Sequence, residues 1–228
     1  MSIRVRYESE LKGVFDNLVL MCRHIESAIE NCIKALMEQD IELAKEVYES
    51  DIIIDRLERD IEHSCLKILM MEHPVAGDFR EVSAALKMIT DLERIGDQAK
   101  DIADFATQLG GGKAVSKLEH IPQMATIVIQ MVKDGVQAYI NRDLELARSL
   151  DTADDKVDEL FCIVMADLIA LIKKYPEDAE RAIMYMMINK YLERIGDHAV
   201  NIGEWVEYAI TGVHPKKIRK TANGKGKK

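Results

Sequence analysis

The chain repeats one six-residue segment without change. Leu-Glu-Arg-Ile-Gly-Asp occupies positions 92–97 and returns at 192–197. A second match lies upstream, where the segment that begins at Asp40 corresponds to the segment that begins at Asp143. Two segments that match in register indicate an internal duplication. The duplication predicts two copies of one folding unit, spanning 1–112 and 113–212, followed by a basic tail at 213–228.

Apolar residues recur with helical spacing throughout both copies. The spacing is clearest at Ala85, Met88, Leu92 and Ile95, which follow the i, i+3, i+4, i+7 pattern of one helix face. The predicted helices span 7–39, 41–73, 76–109, 120–141, 143–174 and 177–211. Short connections between long helices favour antiparallel packing. The predicted fold class is all-α, with two tandem, pseudo-symmetric three-helix bundles.

Asp40 and Asp143 each precede a helical pattern without Pro or Gly nearby, so both are predicted to cap a helix N-terminus through the side chain. The four cysteines lie far apart in the sequence and form no C-x-x-C pair. They are predicted to be reduced and buried, which is typical of a cytoplasmic protein. No stretch approaches the roughly 18 apolar residues that a membrane span requires.

Charge is distributed unevenly along the chain. Residues 214–228 contain seven Lys and Arg and no acid, which leaves 24 Lys and Arg against 40 Asp and Glu in the rest. So acidic a body repels nucleic-acid phosphates, and we expect no nucleic-acid partner. The basic tail is interpreted as a solubilising segment, with contact to an acidic partner or to anionic lipid as the alternative.

Acidic residues form rows on two successive helices of each copy, because residues four apart share one helix face. The rows of the third and sixth predicted helices are Glu93, Asp97 and Asp101, and Glu193, Asp197 and Asn201. The rows of the preceding helices are Asp51, Asp55, Glu58 and Glu62, and Asp151, Asp154, Asp155 and Asp158. On a helical wheel the first of these rows flanks the apolar stripe, so a site built from it is expected at the bundle surface.

The rows can be explained either as a solvated face or as a metal site. Like charges four apart destabilise a helix by a few tenths of a kcal/mol per pair, and a solubilising face would interleave Lys or Arg. The sequence therefore favours metal binding. Ligation by oxygen alone favours hard or borderline ions such as Mg²⁺, Mn²⁺ or iron. Arg94 and Arg194 either orient the carboxylates or form ordinary surface ion pairs.

Gly96 and Gly196 lie inside predicted helices, where glycine costs about 1 kcal/mol relative to alanine. Both fall at the edge of the apolar stripe. We therefore expect a neighbouring helix to approach closely at each glycine.

The doubled Leu-Glu-Arg-Ile-Gly-Asp segment, with Asp-x-x-x-Asp one helix earlier, resembles the PhoU family of bacterial phosphate-uptake regulators. The resemblance extends over 7–212. The family motif stands here as Glu93 to Asp97 and Glu193 to Asp197. Asp51 to Asp55 and Asp154 to Asp158 are further instances.

The resemblance implies polynuclear metal clusters on the bundle surface, with iron first and zinc, manganese or magnesium as alternatives. It also implies a cytoplasmic regulator without catalysis. Its expected partners are the ATPase subunit of the phosphate ABC transporter and the phosphate-sensing histidine kinase. Membrane contact is expected only through these partners. The sequence leaves open whether the protein forms a homodimer. The sequence departs from the family pattern at Asp101, where Asn is frequent, and at Tyr191, where Asp is frequent.

Two other readings remain. A ferritin-like carboxylate di-iron protein, with oxidase or storage activity, would use Glu-x-x-His pairs directed into a four-helix core. The sequence contains no Glu-x-x-His. A purely structural bundle, in which the acidic rows only solubilise the protein, would bind no metal.

Overall fold

The computed structural model describes residues 3–72, 74–110 and 119–214, and these residues form long helices joined by short turns. The helices are α1 Ile3–Glu38, α2 Ile41–Met71, α3 Gly77–Leu109, α4 His120–Asn141, α5 Leu144–Lys174 and α6 Ala179–Thr211, with a 3-10 turn at Pro176–Asp178. No strand occurs in these three stretches, and no helix within them is long and apolar enough to cross a membrane. The predicted all-α class is confirmed, and each helix bound lies within four residues of its prediction.

The turns that follow α1 and α4 share one geometry. Gln39 and Arg142 adopt left-handed backbone conformations, with φ of 56° and 54°. The next residue in each turn, Asp40 or Asp143, accepts a hydrogen bond of 3.0 Å from the backbone N–H three residues later. Both predicted N-caps are therefore confirmed, and the repeat extends to the backbone conformation of its connections.

The first three helices form one bundle and the last three form another, with the two bundles packed side by side. α3 packs antiparallel to α6 along the junction. Arg181 at the start of α6 donates to the carbonyl oxygen of Leu109 at the end of α3 (3.4 Å). Gly212, which caps the end of α6, lies against Arg80 near the start of α3.

α1 and α4 form a second contact between the bundles. The ring of Phe15 meets the ring of buried Tyr139 edge-on, with centroids 5.6 Å apart. The Tyr139 hydroxyl donates to the backbone carbonyl of Glu81 (2.7 Å), and Arg142 forms an ion pair with the Glu81 carboxylate (3.2 Å). Apolar packing and a buried hydrogen bond thus hold the two copies together as one body.

The cysteine prediction is correct for three positions and wrong for one. Cys22, Cys32 and Cys65 are buried in the core as free thiols. Cys162 on α5 is also free but exposed. It lies between Phe161 and Ile163 in the sequence, and the helix turns its side chain away from the buried stripe that contains Val157, Val164 and Leu168.

The two glycines of the repeated segment admit a neighbouring helix, as predicted. A Cβ atom on Gly96 would lie 3.0 Å from the Cδ1 atom of Ile54 on α2. A Cβ atom on Gly196 would lie 2.9 Å from the Oδ1 atom of Asp154 on α5. Both distances are shorter than ordinary van der Waals contact, so a side chain here would push the helices apart. The glycines therefore set how closely the acidic helices pack.

Candidate functional site

Four carboxylates of the first copy face each other between α2 and α3. Burial raises the pKa of Glu93, and the carboxylates of Asp97, Glu58 and Asp55 raise it further while Arg94 lowers it. Burial also raises the pKa of Glu58, with further increases from Glu62 and Asp55. The carboxylates of α2 and α3 lie close enough to raise each other's pKa. The fold therefore brings the two predicted rows together. This is the arrangement that a bound cation would neutralise.

Arg94 spans the two α3 carboxylates of this cluster. Its Nε atom lies 3.4 Å from the Glu93 carboxylate, and its Nη1 atom lies 3.0 Å from that of Asp97. The guanidinium is more than half exposed, so these ion pairs are screened by solvent. Arg94 thus contacts both carboxylates directly. Arg194 of the second copy is exposed, as Arg94 is.

Asp51 lies beneath the exposed row rather than in it. Its side chain is buried, and the Lys100 ammonium donates to its carboxylate at 2.7 Å. Lys100 also lies 5.1 Å from the ring centroid of Tyr48. The signal for this burial was present in the sequence, because Asp51 continues the apolar stripe of Val47 and Ile54 at i+4 and i−3. The Lys100 partner has no such signal on its own helix.

The second copy has the same backbone plan with different charges. Asp154 is buried beside Gly196, in the place equivalent to Asp51, and Val200 stands where the first copy has Lys100. Glu193 forms an ion pair with Lys190, a residue whose equivalent in the first copy is Thr90. Of the outer carboxylates, Asp158 is partly buried and Asp197 is exposed. The two copies therefore place different basic side chains around their acidic rows.

Asp101 and Asn201, both predicted metal ligands, lie at the junction between α3 and α6. Tyr191 of α6 donates a side-chain hydrogen bond to Asp101, whose pKa is raised by burial and by Asp97. Asn201 donates to the Asp91 carboxylate of α3 at 3.1 Å. Each residue is thus directed toward the opposite bundle, whereas Glu93 and Asp97 face α2.

His198 of α6 contacts Asp91 of α3 across the junction between the two bundles. Its Nδ1 atom lies 2.8 Å from Asp91 Oδ1, and only 19% of its side chain is exposed. His198 and Asn201 of α6 thus both contact the same oxygen of Asp91, Oδ1. The sequence did not predict this contact, because the residue equivalent to Asp91 in the second copy is Tyr191. The comparison of the two copies therefore did not single out Asp91 as a repeated acidic residue.

The rows offer carboxylate oxygens, which are the ligands that hard cations prefer. These carboxylates also raise each other's pKa, so a bound cation would relieve their mutual repulsion. The side chains as placed do not form a finished cage. In the described stretches, no group of three or more His, Cys, Asp or Glu side chains is arranged to hold a metal ion. Binding would therefore require Arg94 to release Glu93 and Asp97, and the side chains of the facing rows to converge.

The family profile described as PhoU domain matches the chain twice, at residues 18–106 and 121–206. Curated relatives carry the name phosphate-specific transport system accessory protein PhoU homolog. The relative from Clostridium acetobutylicum is 34% identical over 207 residues, covering 90% of this chain and 94% of its own length. The relative from Pseudomonas aeruginosa is 32% identical over 217 residues, covering 95% and 90%.

Solved structures show the same fold. The crystal structure of PhoU from Pseudomonas aeruginosa matches with a TM-score of 0.85 at 32% identity, over 91% of this chain and 100% of that chain. The phosphate transport system regulatory protein PhoU from Streptococcus pneumoniae matches with a TM-score of 0.85 at 25% identity, over 92% and 99%. The similarity thus covers both bundles together.

Proposed function

The chain belongs to the PhoU domain family, and on that premise we propose that it is a regulatory adaptor that restrains phosphate uptake and the phosphate-starvation response. The observation that carries this proposal is the similarity across both repeats to proteins named as phosphate transport accessory proteins. The expected partners are the ATPase subunit of the phosphate ABC transporter and the phosphate-sensing histidine kinase, and we expect the protein to act in the cytoplasm.

The acidic rows are proposed to hold metal in support of this role. In the first copy Asp55, Glu58, Glu93 and Asp97 would supply oxygen ligands between α2 and α3. In the second copy the equivalent surface carries Asp158, Glu193 and Asp197. Iron is the first candidate, with zinc, manganese or magnesium as alternatives. A bound cation would neutralise the mutual repulsion of the rows and fix the surface that a partner contacts.

The oxidase alternative is disfavoured by where the carboxylates lie. Di-iron oxidases of the ferritin type place their ligands inside a four-helix core. Glu93 and Asp97 retain 20% and 32% side-chain exposure and lie between two helices at the bundle surface. Oxygen consumption after Fe²⁺ addition tests the alternative directly.

A reporter of phosphate-starvation genes tests the regulatory role. Deletion of the gene should derepress the reporter at high phosphate, and the wild-type chain should restore repression. Full repression in the deletion strain would contradict the regulatory role. A pull-down from cells grown at high phosphate should then recover the transporter ATPase or the kinase, and mass spectrometry identifies which one.

The contribution of the acidic rows needs a separate comparison. Replacing Glu93, Asp97, Glu193 and Asp197 together with Ala should reproduce the deletion if the rows support partner contact. The matched control replaces Glu42 and Glu145, exposed acids at equivalent positions in the first turns of α2 and α5. Full repression by the fourfold variant would show that docking depends on other faces of the protein.

A further inference from the structure

The groove between α5 and α6 of the second bundle carries a group of large apolar side chains. Those of α5 recur every four residues, and those of α6 lie three residues apart, so each set occupies one face of its helix. The five residues, which we call the apolar groove, are Phe161, Met165, Ile169, Ile183 and Met186. Ile169 is 44% exposed and Ile183 is 56% exposed, and the other three are partly buried. Isolated exposed apolar residues are common, but a contiguous apolar group indicates an interaction site.

Contacts between α5 and α6 show that the two apolar faces meet in one groove. Asn189 of α6 donates to the carbonyl oxygen of Phe161 at 3.1 Å. Further along the pair, Gly196 of α6 packs against the side chain of Asp154 on α5. The residue number rises along one helix as it falls along the other, so the helices are antiparallel. Continued toward the end of α5, this register sets its apolar face opposite that of α6.

The repeat does not require an apolar groove. Three of its residues replace polar residues of the first copy, with Phe161 in place of Glu58, Met165 in place of Glu62 and Ile183 in place of Ser83. The other two keep apolar equivalents, Leu66 and Leu86. The first copy thus extends its acidic row along a stretch where the second copy has large apolar side chains. The apolar character therefore belongs to this groove and not to the architecture.

One end of the apolar groove continues into the acidic row of the second copy. Residues 151–158 and 193–197 contain six Asp and Glu against two basic residues, Lys156 and Arg194. Lys190 lies at the boundary, where its ammonium pairs with Glu193 and lies 5.8 Å from the ring centroid of Phe161. With Lys190 included, this end carries a net charge of 3 − 6 = −3. One divalent cation bound there would leave it negative.

We propose that the apolar groove and the adjoining acids bind an amphipathic, basic helix of a partner protein. Apolar side chains of that helix enter the groove, and its Lys or Arg residues contact the acids as Lys190 contacts Glu193. A groove between two helices accepts a third helix with anchors at i, i+3 or i+4, and i+7. From Ile169 to Asp155 the site is about 21 Å long, which corresponds to a helix of about four turns. The inference rests on the adaptor role proposed above and names the partner segment that this role requires.

Charge favours this occupant over two others. An anionic bilayer would be repelled by the acidic end of the site. A second copy of the chain would bring an acidic body, with 24 Lys and Arg against 40 Asp and Glu in residues 1–213. A basic amphipathic helix matches both the apolar and the acidic part of the site.

Photo-cross-linking tests the proposal with the full chain, expressed in the deletion strain at high phosphate. Benzoylphenylalanine in place of Ile169 or Ile183 should cross-link to a partner segment with apolar residues at helical spacing and Lys or Arg at one end. The matched control places it at Leu66, the equivalent of Ile169 in the first copy, which is 45% exposed. We expect no cross-link to that segment from position 66. Mass spectrometry of the cross-linked peptides identifies the segment.

Four outcomes of this experiment would overturn the proposal. They are a cross-link to lipid, a cross-link to a second copy of the chain, equal capture of the segment from position 66, and no cross-link from either position in the groove.

A synthetic peptide of the cross-linked segment then gives the affinity for the purified chain. Met165→Glu restores the residue type of the first copy and should weaken binding about tenfold or more, since burial of one large apolar side chain changes an equilibrium constant by at least that factor. The control Ile163→Asp makes the same change of charge at a 43% exposed position on another face of α5, and should bind as wild type. High salt should weaken binding because the acids take part. Equal affinity of the two variants would contradict the proposal, and circular dichroism checks that both are folded.

The phosphate-starvation reporter separates this inference from the regulatory role. Where deletion derepresses the reporter but Met165→Glu/Ile183→Ser represses it fully, the regulatory role stands and the apolar groove is not the docking site. Where deletion leaves the reporter repressed, the regulatory role fails. The cross-links and the peptide affinity then still decide whether the groove binds a basic helix.

Discussion

Tyr191 of α6 donates a hydrogen bond to Asp101 of α3, across the junction between the two bundles. The antiparallel packing of α3 and α6 places an equivalent contact elsewhere in the junction, where Asn201 donates to Asp91 at 3.1 Å. Under the repeat, Asp91 corresponds to Tyr191 and Asp101 corresponds to Asn201. Tyr191 and Asp101 thus occupy, in the opposite order, the repeat positions that Asp91 and Asn201 occupy in the other contact.

This pairing predicts coupled effects on stability. Tyr191→Asp alone would place a second carboxylate beside Asp101, so we expect a loss of about 1 to 3 kcal/mol in the free energy of unfolding. Tyr191→Asp combined with Asp101→Asn recreates the Asp and Asn pair of the other contact and should recover most of that loss. Urea unfolding of the single and double variants gives the coupling energy. Additive effects would mean that the contact is incidental.

A second prediction compares three glycines. Gly196→Ala should destabilise the protein by about 1 to 3 kcal/mol, because the added Cβ meets the buried Asp154 carboxylate. Gly96→Ala meets the Cδ1 and Cγ2 methyls of Ile54 at 3.0 and 3.1 Å, slightly longer than the contact at Gly196, so a smaller loss is expected. Gly13→Ala on α1 meets nothing within 4 Å and should stabilise by up to about 1 kcal/mol. Thermal and urea unfolding measure all three, and destabilisation by Gly13→Ala would discredit the ranking.

Metal content gives a third prediction. Purified protein should carry or take up iron, manganese or zinc, and Asp97→Ala/Asp197→Ala should lose most of it because both changes remove a carboxylate from the proposed sites. Each single change should lose part. Elemental analysis with circular dichroism as the folding check makes the measurement. Glu42→Ala/Glu145→Ala is the control, and equal metal in all variants would rule out the assignment.

Thermal stability gives a fourth prediction, on metal removal. A cation that binds the native state raises the melting temperature, by roughly 5 to 10 °C at a free concentration about one hundred times Kd. Chelation should reverse the increase while the helical signal persists, because the apolar core does not involve the ions. An unchanged melting temperature after chelation would mean that bound ions contribute nothing to folding.

Thiol chemistry gives a fifth prediction. Burial raises the pKa of Cys22 to about 11 and that of Cys65 to about 12, and burial raises that of Cys32 as well. Few of these thiols are ionised at pH 8, and none is accessible. A thiol reagent should therefore modify Cys162 first in native protein and all four cysteines after denaturation. Mass spectrometry of the labelled peptides identifies the sites, and early labelling of Cys32 would contradict the packing of α1.

The helices and their caps could be predicted because each depends on neighbours within one or two turns. The apolar spacing around Leu92 and the Asp40 cap are local properties of the chain. The close approach at Gly96 was also accessible, since a glycine in a helix interior requires a packing reason. These features repeat in both copies, which allowed each prediction to be checked against its equivalent.

The surroundings of the acidic rows could not be predicted in the same way. The ammonium that pairs with Asp51 comes from Lys100 on another helix, and the repeat offers Val200 as its equivalent. His198 contacts Asp91 across the junction, and no spacing along the sequence relates the two. Contacts between helices depend on rotation and register, which the periodicity of one helix does not determine.

The packed pair of α3 and α6 fixes the distance between the two acidic surfaces. Each is 33 residues long, or about 50 Å, and contacts near both ends of the helix pair anchor one bundle to the other. A hinge motion between the two bundles would break the contacts along the whole junction between α3 and α6. A partner that contacts both acidic surfaces would therefore have to match the separation that these two helices fix, because the contacts along the junction oppose a rotation of one bundle toward the other.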